Sequence, residues 1–367
     1  MEWHVWDFPD EIRINFTAEF RQRLFIRLKE VCGSRYALAK SLNLHPMTVK
    51  EYELARSTTN LPVLLPVKFI KAIKMNFGES LTKEFEEMEN FILSYRCKNK
   101  GLFVHKPILP IKESPSLYST AIHILADGCA SKRNLPYYCN KNKTLIKNFI
   151  KNLEIFGEVQ QRYFTRSDGQ LYIYFATAIS RILEFLLCVK FVRPESFPEI
   201  LIKASSENRI ASLRAFMDDE GSVTGGKIYV TQKSAHILTE LKELFDSFNI
   251  KTSKIYKKQY GHQFIILSES HEAYYKIISF DHPKKKKRLY DIVRKKQLRG
   301  IPIKYRVLDI VTKRNLMNTR EVANTLNLPL DSVREALTTL KTEGKLLNQT
   351  TNSRKPKIWF TKASFSE

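Results

Sequence analysis

The sequence lacks the cysteine pattern of a zinc site. Its five cysteines include no CxxC pair and no histidine at zinc-ligand spacing, and their odd number does not suit a disulfide framework. They are Cys32, Cys97, Cys129, Cys139 and Cys188. The longest apolar run, around 179–192, is interrupted by charged residues and is too short to span a bilayer. We therefore expect no structural zinc, no disulfide framework and no membrane partner.

The sequence also has far fewer acidic residues than basic ones. Lysine and arginine total 61 against 38 acids, which gives a net charge of +23. Such an excess is offset by a polyanion or tolerated as self-repulsion, and nucleic acid is the expected partner. An anionic membrane surface is the alternative, but the charge is spread along the chain and forms no single amphipathic anchor. Because the N-terminus also lacks the basic and apolar regions of a signal peptide, we expect a soluble, cytoplasmic, nucleoid-associated protein.

The chain is long enough for several packed domains, since it has 367 residues with 43% hydrophobic character. Helical periodicity over about 9–91 predicts an all-α domain, and three prolines in 101–115 predict a linker. The following region alternates helices with strands rich in β-branched and aromatic residues, which predicts an α+β fold. The expected segments are 1–100 (helical domain), 101–115 (linker), 116–195 and 196–298 (α+β region with a basic tail) and 299–367 (small C-terminal domain).

The α+β region holds two copies of one unit. The first copy predicts a helix that ends at Asp127-Gly128, a strand that reaches Asn140, a helix over 144–155 and strands on either side of Gly169. The second copy has Glu220-Gly221, then Gln232, a helix over 235–248 and strands on either side of Gly261. The separation in sequence between matching residues of the two copies changes by only one residue across this core. Internal duplication is therefore the simplest explanation.

The helix ends carry a more specific pattern. Residues 120–128 (TAIHILADG) and 213–221 (LRAFMDDEG) resemble the two LAGLIDADG motifs of a single-chain homing endonuclease, with Asp127 and Glu220 at the acidic eighth position. Residues 277–285 (IISFDHPKK) resemble the closing segment that archaeal-type members carry after the second unit. The resemblance implies a duplicated αββαββα core with saddle-shaped antiparallel sheets, in which the two motif helices pack together. Small residues allow that approach, although Ile122 is large where Ala215 is small, and the terminal glycines let the chain leave each helix sharply.

The same resemblance implies a metal-dependent reaction. It places Mg²⁺ at Asp127, Glu220, Gly128 and Gly221, where hydrolysis of both strands of DNA would take place. Two carboxylates brought together repel each other unless a divalent cation lies between them. Asn140 and Gln232 match positions where the family often places side chains that orient solvent around the metal.

A basic residue that the family often has near the start of the last helix of each unit has no lysine or arginine counterpart. The first copy shows 178–180 (AIS) there, and the second shows His271. His271 is the candidate substitute, although a histidine at a helix start is more often structural or exposed.

In the family the saddle lies in the DNA major groove, where basic and polar residues suit contacts to phosphates and base edges. The candidates in this sequence are Lys132, Arg133, Lys227, Lys233, Lys254, Lys257 and Lys258. A separate basic run over 282–296 suits nucleic acid and, equally, a solvated face.

Both ends resemble DNA-binding modules. Residues 35–53 resemble the helix-turn-helix of Cro/repressor-like domains, with Asn43 in the turn and a recognition helix over 46–55. The tail resembles a winged helix, with helices over 305–314, 319–327 and 330–343 and a hairpin over 346–360. The candidate contacts are Thr48, Lys50 and Arg56 at the first end, and Ser332, Arg334, Lys341, Arg354, Lys355 and Lys357 at the second. A helical hairpin without a ligand and a winged helix that binds protein are the alternatives.

These features predict a monomeric, Mg²⁺-dependent endonuclease that binds double-stranded DNA at specific sites. Two alternatives remain open. The combination with helix-turn-helix domains also resembles the WhiA regulators, which favours a non-cleaving transcription regulator. An RNA maturase or RNA-processing factor is the second, because the family's saddle can bind structured RNA and the charge alone does not distinguish RNA from DNA.

Overall fold

The computed structural model describes residues 1–57, 62–97, 101–131, 134–198, 200–299, 301–349 and 356–361. The chain divides into two compact units, 1–289 and 290–367, which are described separately. The helices are α1 (Ala18–Cys32), α2 (Arg35–Ser41), α3 (Pro46–Leu54), α4 (Val67–Phe77), α5 (Thr82–Glu87), α6 (Pro115–Asp127), α7 (Lys143–Leu153), α8 (Thr177–Leu186), α9 (Ile200–Lys203), α10 (Ser206–Glu220), α11 (Ala235–Asp246), α12 (His271–Ile277), α13 (Pro283–Arg299), α14 (Ile303–Arg314), α15 (Thr319–Leu326) and α16 (Leu330–Thr342). None of the described helices is both long enough and apolar enough to cross a membrane.

The strands are β1 (Glu2–Trp3), β2 (Ile12–Phe16), β3 (Leu65–Pro66), β4 (Ile92–Cys97), β5 (Val104–His105), β6 (Ile111–Lys112), β7 (Gly128–Cys129), β8 (Tyr137–Asn140), β9 (Glu158–Val159), β10 (Gln161–Thr165), β11 (Leu171–Phe175), β12 (Gly221–Thr224), β13 (Lys227–Gln232), β14 (Tyr256–Lys258), β15 (Gly261–Ile266), β16 (Met317–Asn318), β17 (Leu347–Gln349) and β18 (Ile358–Phe360). Together they form an α+β protein with antiparallel sheets, as the sequence predicts.

The N-terminal region is not all-α as expected. Helices α1–α5 accompany a sheet in the order β3-β2-β4-β5-β9. Strand β2 alternates buried and half-buried residues, which is the period of a strand with one face on a core. Its five residues are too few to outweigh the surrounding helical pattern in a sequence-based interpretation. The expected linker over 101–115 contains β5 and β6, and its prolines lie outside both strands.

The duplicated region forms two sheets of the same design. The first copy orders its strands β7-β8-β11-β10, and the second orders them β12-β13-β15-β14. All neighbouring strands in both sheets are antiparallel. Each position in the first sheet therefore has an equivalent in the second.

Helices α6 and α10 begin the two copies and pack against each other. Each starts after a serine whose side chain accepts a backbone N–H, Ser114 for α6 and Ser205 for α10. Ile122 and Ala215 are both buried, so the large-for-small departure from the motif is accommodated in the core. This packing brings the C-terminal ends of both motif helices towards each other.

Unit 290–367 contains α14, α15, α16 and a small sheet in the order β16-β18-β17. The three helices lie within about two residues of their expected bounds. The Asn318 side chain caps α15 and forms a capping box with Glu321. Val307, Leu337 and Trp359 belong to the buried core of this unit. The tip of the expected wing, 350–355, lies outside the described residues.

Candidate active site at the ends of two packed helices

Asp127 and Glu220 occupy matching places in the two copies. Each is the last residue of its motif helix, α6 or α10. The Asn140 side-chain amide donates to the Asp127 carboxylate at 3.2 Å, and the Gln232 amide donates to the Glu220 carboxylate at 3.3 Å. The structure thus pairs each predicted acid with the predicted amide of its own copy.

Backbone hydrogen bonds fix the orientation of both amides. The Asn140 side-chain oxygen accepts the backbone N–H of Asn142 at 2.9 Å, and the Gln232 oxygen accepts the N–H of Lys233 at 2.7 Å. Because each oxygen is engaged in this way, each NH₂ group is left to face its carboxylate. Each copy therefore holds its acid through a hydrogen bond from an amide side chain whose orientation is fixed by the backbone.

The two glycines are required by close approach rather than by unusual backbone angles. Gly128 and Gly221 have φ of −106° and −77°, which any residue adopts. A Cβ at Gly128 would lie 2.6 Å from the Ile124 Cα and 2.8 Å from the Tyr137 carbonyl oxygen. A Cβ at Gly221 would lie 2.5 Å from the Met217 carbonyl oxygen. At both helix exits a glycine is therefore required because there is no space for a side chain.

The carboxylates of the two copies influence each other. Burial raises the pKa of Asp127 to about 7, with a further rise from the charge of Asp219. Burial also raises the pKa of Glu220 to about 7, and the charges of Asp127 and Asp219 add to it. The two predicted acids therefore share one poorly solvated, negatively charged place where a bound cation would favour their ionised forms.

Asp219 is a central residue that sequence reasoning missed. Its side chain is fully buried and lies 2.7 Å from the His123 Nδ1. It also accepts hydrogen bonds from the Tyr138 hydroxyl at 2.8 Å and the Asn140 amide at 3.2 Å. These partners belong to the first copy, so Asp219 connects the two copies across their interface. His123 lies one helical turn before Asp127, and that spacing was an available signal.

Lys285 is a second missed residue, and it brings a cation to the acids. From the start of α13, its ammonium group donates to the backbone carbonyls of Met217 and Asp218 at the end of α10. Burial lowers the pKa of Lys285, while four carboxylates oppose that shift, Asp127 and Glu220 among them. The cation beside the acids therefore comes from the segment over 277–285 and not from the start of the last helix of either unit.

The Asp218 carboxylate anchors this closing segment, 277–285, by hydrogen bonds. It accepts the backbone N–H of Asp281 at 3.0 Å, the shorter of two contacts, and that of His282 at 2.9 Å. Burial raises the pKa of Asp218 to about 7, and these two N–H groups oppose the rise. The three consecutive acids of α10 therefore have different partners, and Glu220 alone is paired with the amide that follows it in its own copy.

The donor set suits a hard divalent cation. Mg²⁺ is usually bound by one or two carboxylates and keeps several waters, so Asp127 and Glu220 supply a sufficient set of oxygens. Within the described ranges, no group of three or more His, Cys, Asp or Glu side chains is arranged to enclose a metal ion. An open site of two carboxylates is the arrangement that these residues fit.

His271 lies elsewhere in the second copy. It is buried at the first position of α12, and its Nε2 donates to the Ile266 carbonyl oxygen at 3.1 Å. This contact ties α12 to the end of β15. The residue is therefore placed as a structural histidine, in line with the interpretation favoured from the sequence.

The basic residues predicted for the saddle surround the second sheet. Lys227, Lys257 and Lys258 are exposed on β13 and β14, and Lys233 and Lys254 are exposed just outside these strands. Lys132 and Arg133 lie outside the described residues.

Five of the candidate contacts of the two ends lie on the expected helices. Thr48 and Lys50 are on α3, with Lys50 exposed, and Asn43 takes a left-handed φ of 50° in the turn before it. Arg56 follows α3 and is exposed. In the other unit Ser332, Arg334 and Lys341 are on α16 and Lys357 precedes β18, whereas Arg354 and Lys355 lie outside the described residues.

Residues 207–322 match the family described as LAGLIDADG-like domain. This match covers less than half of the chain. The matched segment covers nearly all of α10 and the rest of the second copy, the part that carries Glu220, Gln232 and Lys285. No curated protein matches the chain.

Similar solved structures include two homing endonucleases and a WhiA protein. I-DmoI in complex with DNA and Mn is 14% identical, with a TM-score of 0.36, and the alignment covers 45% of this chain and 97% of that one. I-WcaI bound to its DNA recognition sequence is 16% identical, with a TM-score of 0.35 and coverage of 45% and 81%. Full-length WhiA from Thermatoga maritima is 12% identical, with a TM-score of 0.37 and coverage of 63% and 92%.

The acids at the ends of the two motif helices predict a pH-dependent stability. The pKa values of Asp127 and Glu220 are raised to about 7 from ordinary values of 3.8 and 4.5. Between about pH 4 and pH 7 the unfolded chain loses these protons while the folded chain keeps them, so their contribution to stability falls as pH rises. In EDTA we expect the melting temperature to fall more between pH 5 and pH 7.5 in the natural protein than in the double variant Asp127→Asn, Glu220→Gln. Parallel pH profiles would contradict this.

Lys285 gives a second prediction. Lys285→Met should lower the free energy of unfolding at pH 7 by about 2 kcal/mol, because the acids lose their fixed cation. Lys286→Met, an exposed lysine on the same helix, is the matched control and should change it by no more than about 0.5 kcal/mol. Added Mg²⁺ should recover more stability in Lys285→Met than in the control. Equal urea denaturation curves for the two variants would contradict the assignment.

Proposed function

We propose that this protein binds double-stranded DNA and hydrolyses its phosphodiester bonds with the help of Mg²⁺. The observation that carries the proposal is the repeated pair of acid and amide, Asp127 with Asn140 and Glu220 with Gln232, at the ends of two packed helices. A purely structural interface has no chemical need for carboxylates whose pKa values are raised by burial and by neighbouring carboxylates.

Asp127 and Glu220 would hold the metal, with the backbone at Gly128 and Gly221 beside it. When bound, Mg²⁺ supplies Lewis acidity and lowers the pKa of bound water. Asn140 and Gln232 restrain the carboxylates by hydrogen bonds and would orient solvent around the metal. Lys285 adds a fixed positive charge at the end of α10, where it offsets part of the acids' repulsion.

The remaining surface supports a nucleic acid partner. The exposed lysines of the second sheet, Lys227, Lys257 and Lys258, suit phosphate contacts. Lys50 on α3 and Arg334 on α16 would extend the contact through the helix-turn-helix and the winged helix. Because both copies belong to one chain, a monomer suffices to complete the site.

A cleavage selection tests the proposal. The protein is incubated with a randomised duplex library, in Mg²⁺ or in EDTA, and the ends of any fragments are sequenced. We expect fragments that share a sequence in Mg²⁺ and none in EDTA. Fragments that form equally in EDTA, or no fragments from any library in Mg²⁺, would contradict metal-dependent cleavage.

The second candidate is a DNA-binding transcription regulator that does not cleave. It is favoured by Lys285, whose ammonium group already lies where the acids need a cation, so that the core could be stable without a metal. Sequence-selective, salt-sensitive binding without cleavage would support this function. RNA as the principal partner would be indicated by tighter binding to structured RNA than to any duplex DNA.

A further inference from the structure

The outer face of the first sheet is lined by aromatic rings. The strand register places Tyr138, Ile173 and Phe175 on the buried side, so the alternate residues lie on the opposite face. These alternate residues are Tyr137, Phe164, Tyr172 and Tyr174. Phe164 is 53% exposed and the three tyrosines are half-buried, so the rings form part of the protein surface.

The rings form one continuous cluster. Tyr137 lies 5.3 Å from Tyr172 and 5.6 Å from Tyr174, measured between ring centroids. Phe164 extends the cluster to the edge strand β10, with its centroid 6.0 Å from that of Tyr172. Such spacing holds each ring in place through its neighbours, while part of each ring stays accessible at the surface.

Two arginines flank this cluster. Arg162 is exposed on β10 directly across from Tyr174, and it lies on the same face of the sheet as Phe164. The Arg166 guanidinium donates to the Tyr172 hydroxyl at 3.4 Å. Flat rings beside guanidinium groups combine surfaces for base stacking with charges for phosphates, and a chain of net charge +23 attracts such a polyanion.

The second sheet presents different chemistry at the equivalent positions. Cys139 and Thr231 are equivalent, since each lies two places after an equivalent tyrosine, Tyr137 or Tyr229. Tyr172 pairs with Cys139, and Gln263 pairs with Thr231, so Tyr172 corresponds to Gln263. Phe164 likewise corresponds to Tyr256. There the Tyr256 hydroxyl donates to Gln263, and the Gln263 amide donates to Thr231, each at 2.8 Å. The second sheet thus has Gln263 and Ile265 where the first has Tyr172 and Tyr174, while Tyr229 and Tyr256 keep rings at the other two positions.

The different side chains of the two sheets suit two different kinds of contact with bases. Paired bases present only their edges, which are read by donors and acceptors such as those of the second sheet. Stacking on an aromatic side chain requires the face of a base, and the face is accessible only when the base is unpaired.

We propose that the aromatic face formed by Tyr137, Phe164, Tyr172 and Tyr174 binds unpaired bases of a DNA strand. The preferred substrate is then DNA in which a single-stranded segment adjoins a duplex. This inference rests on the proposed DNA-binding function, and it adds the substrate class. The commitment to DNA follows from the duplex contacts proposed for the second sheet.

The test is a binding assay in EDTA, so that cleavage plays no part. Anisotropy is measured with three probes of equal length: a full duplex, the same duplex with a central unpaired bubble, and an RNA version of the bubble. The bubble carries 2-aminopurine, whose fluorescence is quenched on stacking. We expect the DNA bubble to bind at least about 5-fold more tightly than the duplex, with quenching.

The variants locate the effect. Phe164→Leu keeps apolar volume without a ring and should remove most of the preference for the bubble, whereas Phe164→Tyr should keep it. Tyr256→Leu, at the equivalent place in the second sheet, should change bubble and duplex binding by the same factor. Because Phe164 is exposed, equal melting temperatures should confirm that the variants are folded.

Three results would overturn the proposal: equal affinity of the natural protein for bubble and duplex, equal loss of both in Phe164→Leu, or tighter binding of the RNA bubble than the DNA bubble. A protein that never cleaves but prefers the DNA bubble would support this inference while contradicting the nuclease function. The two failures are therefore distinguishable.

Discussion

Asp127→Asn and Glu220→Gln should each reduce the rate of Mg²⁺-dependent DNA cleavage by more than about 100-fold. Residues that only support metal ligands cost 10-fold to 100-fold when they are changed, and loss of a ligand should cost at least as much. Both substitutions keep size and shape, and both remove charge from a crowded set of acids, so we expect folding and DNA binding to persist. The measurement is a single-turnover cleavage rate on a selected duplex, with affinity measured in EDTA.

The matched control for this prediction is Asp246→Asn. Asp246 is an exposed acid at the end of α11, and its loss changes the net charge by the same amount. We expect its cleavage rate to stay within a factor of about two of the natural protein. If either acid variant of the motif helices cleaves as fast as this control, the assignment of the active site is wrong.

Asp219→Ala should lower the free energy of unfolding by about 4 kcal/mol. The Asp219 side chain is fully buried between the two copies, and its removal leaves His123, Tyr138 and Asn140 without their shared acceptor. Burial lowers the pKa of His123, but the charge and hydrogen bond of Asp219, together with the charges of Asp218 and Asp127, raise it by more. The variant therefore also loses an attraction to a buried histidine. The measurement is urea denaturation at pH 6.5.

Two comparisons give this prediction a clear outcome. Asp219→Asn keeps the shape and a carbonyl acceptor, so it should be less destabilising than Asp219→Ala. Asp246→Ala should change stability by no more than about 0.5 kcal/mol, because that residue is exposed. If Asp219→Ala unfolds at the same urea concentration as Asp246→Ala, the buried network does not hold the two copies together.

The sequence predicts the duplicated core because its two copies agree with each other. The same order of acid, glycine and amide occurs twice, and the structure pairs Asp127 with Asn140 and Glu220 with Gln232. A single copy could not have separated this pattern from an ordinary turn. The helices of the C-terminal unit were predictable for a related reason, since caps and apolar periodicity agree there.

The remaining site residues depend on contacts that no local pattern contains. Asp218, Asp219 and Glu220 are consecutive acids. They have different partners because successive residues of a helix point in different directions and so meet different neighbouring elements. Lys285 is distant in sequence from the acids that it approaches and lies within a run of lysines that suits a solvated face. Strand β2 was missed because five alternating residues carry little weight beside long helices. Tertiary packing decides each of these cases.

The central claim is that carboxylates from both copies share one divalent cation. Titration with Mn²⁺, followed by electron paramagnetic resonance of the free ion, tests it directly in the natural protein, Asp127→Asn, Glu220→Gln and Asp246→Asn. The claim predicts binding in the natural protein and in Asp246→Asn, and a loss of that binding when either motif acid is changed alone. Binding that survives both single substitutions unchanged would contradict it.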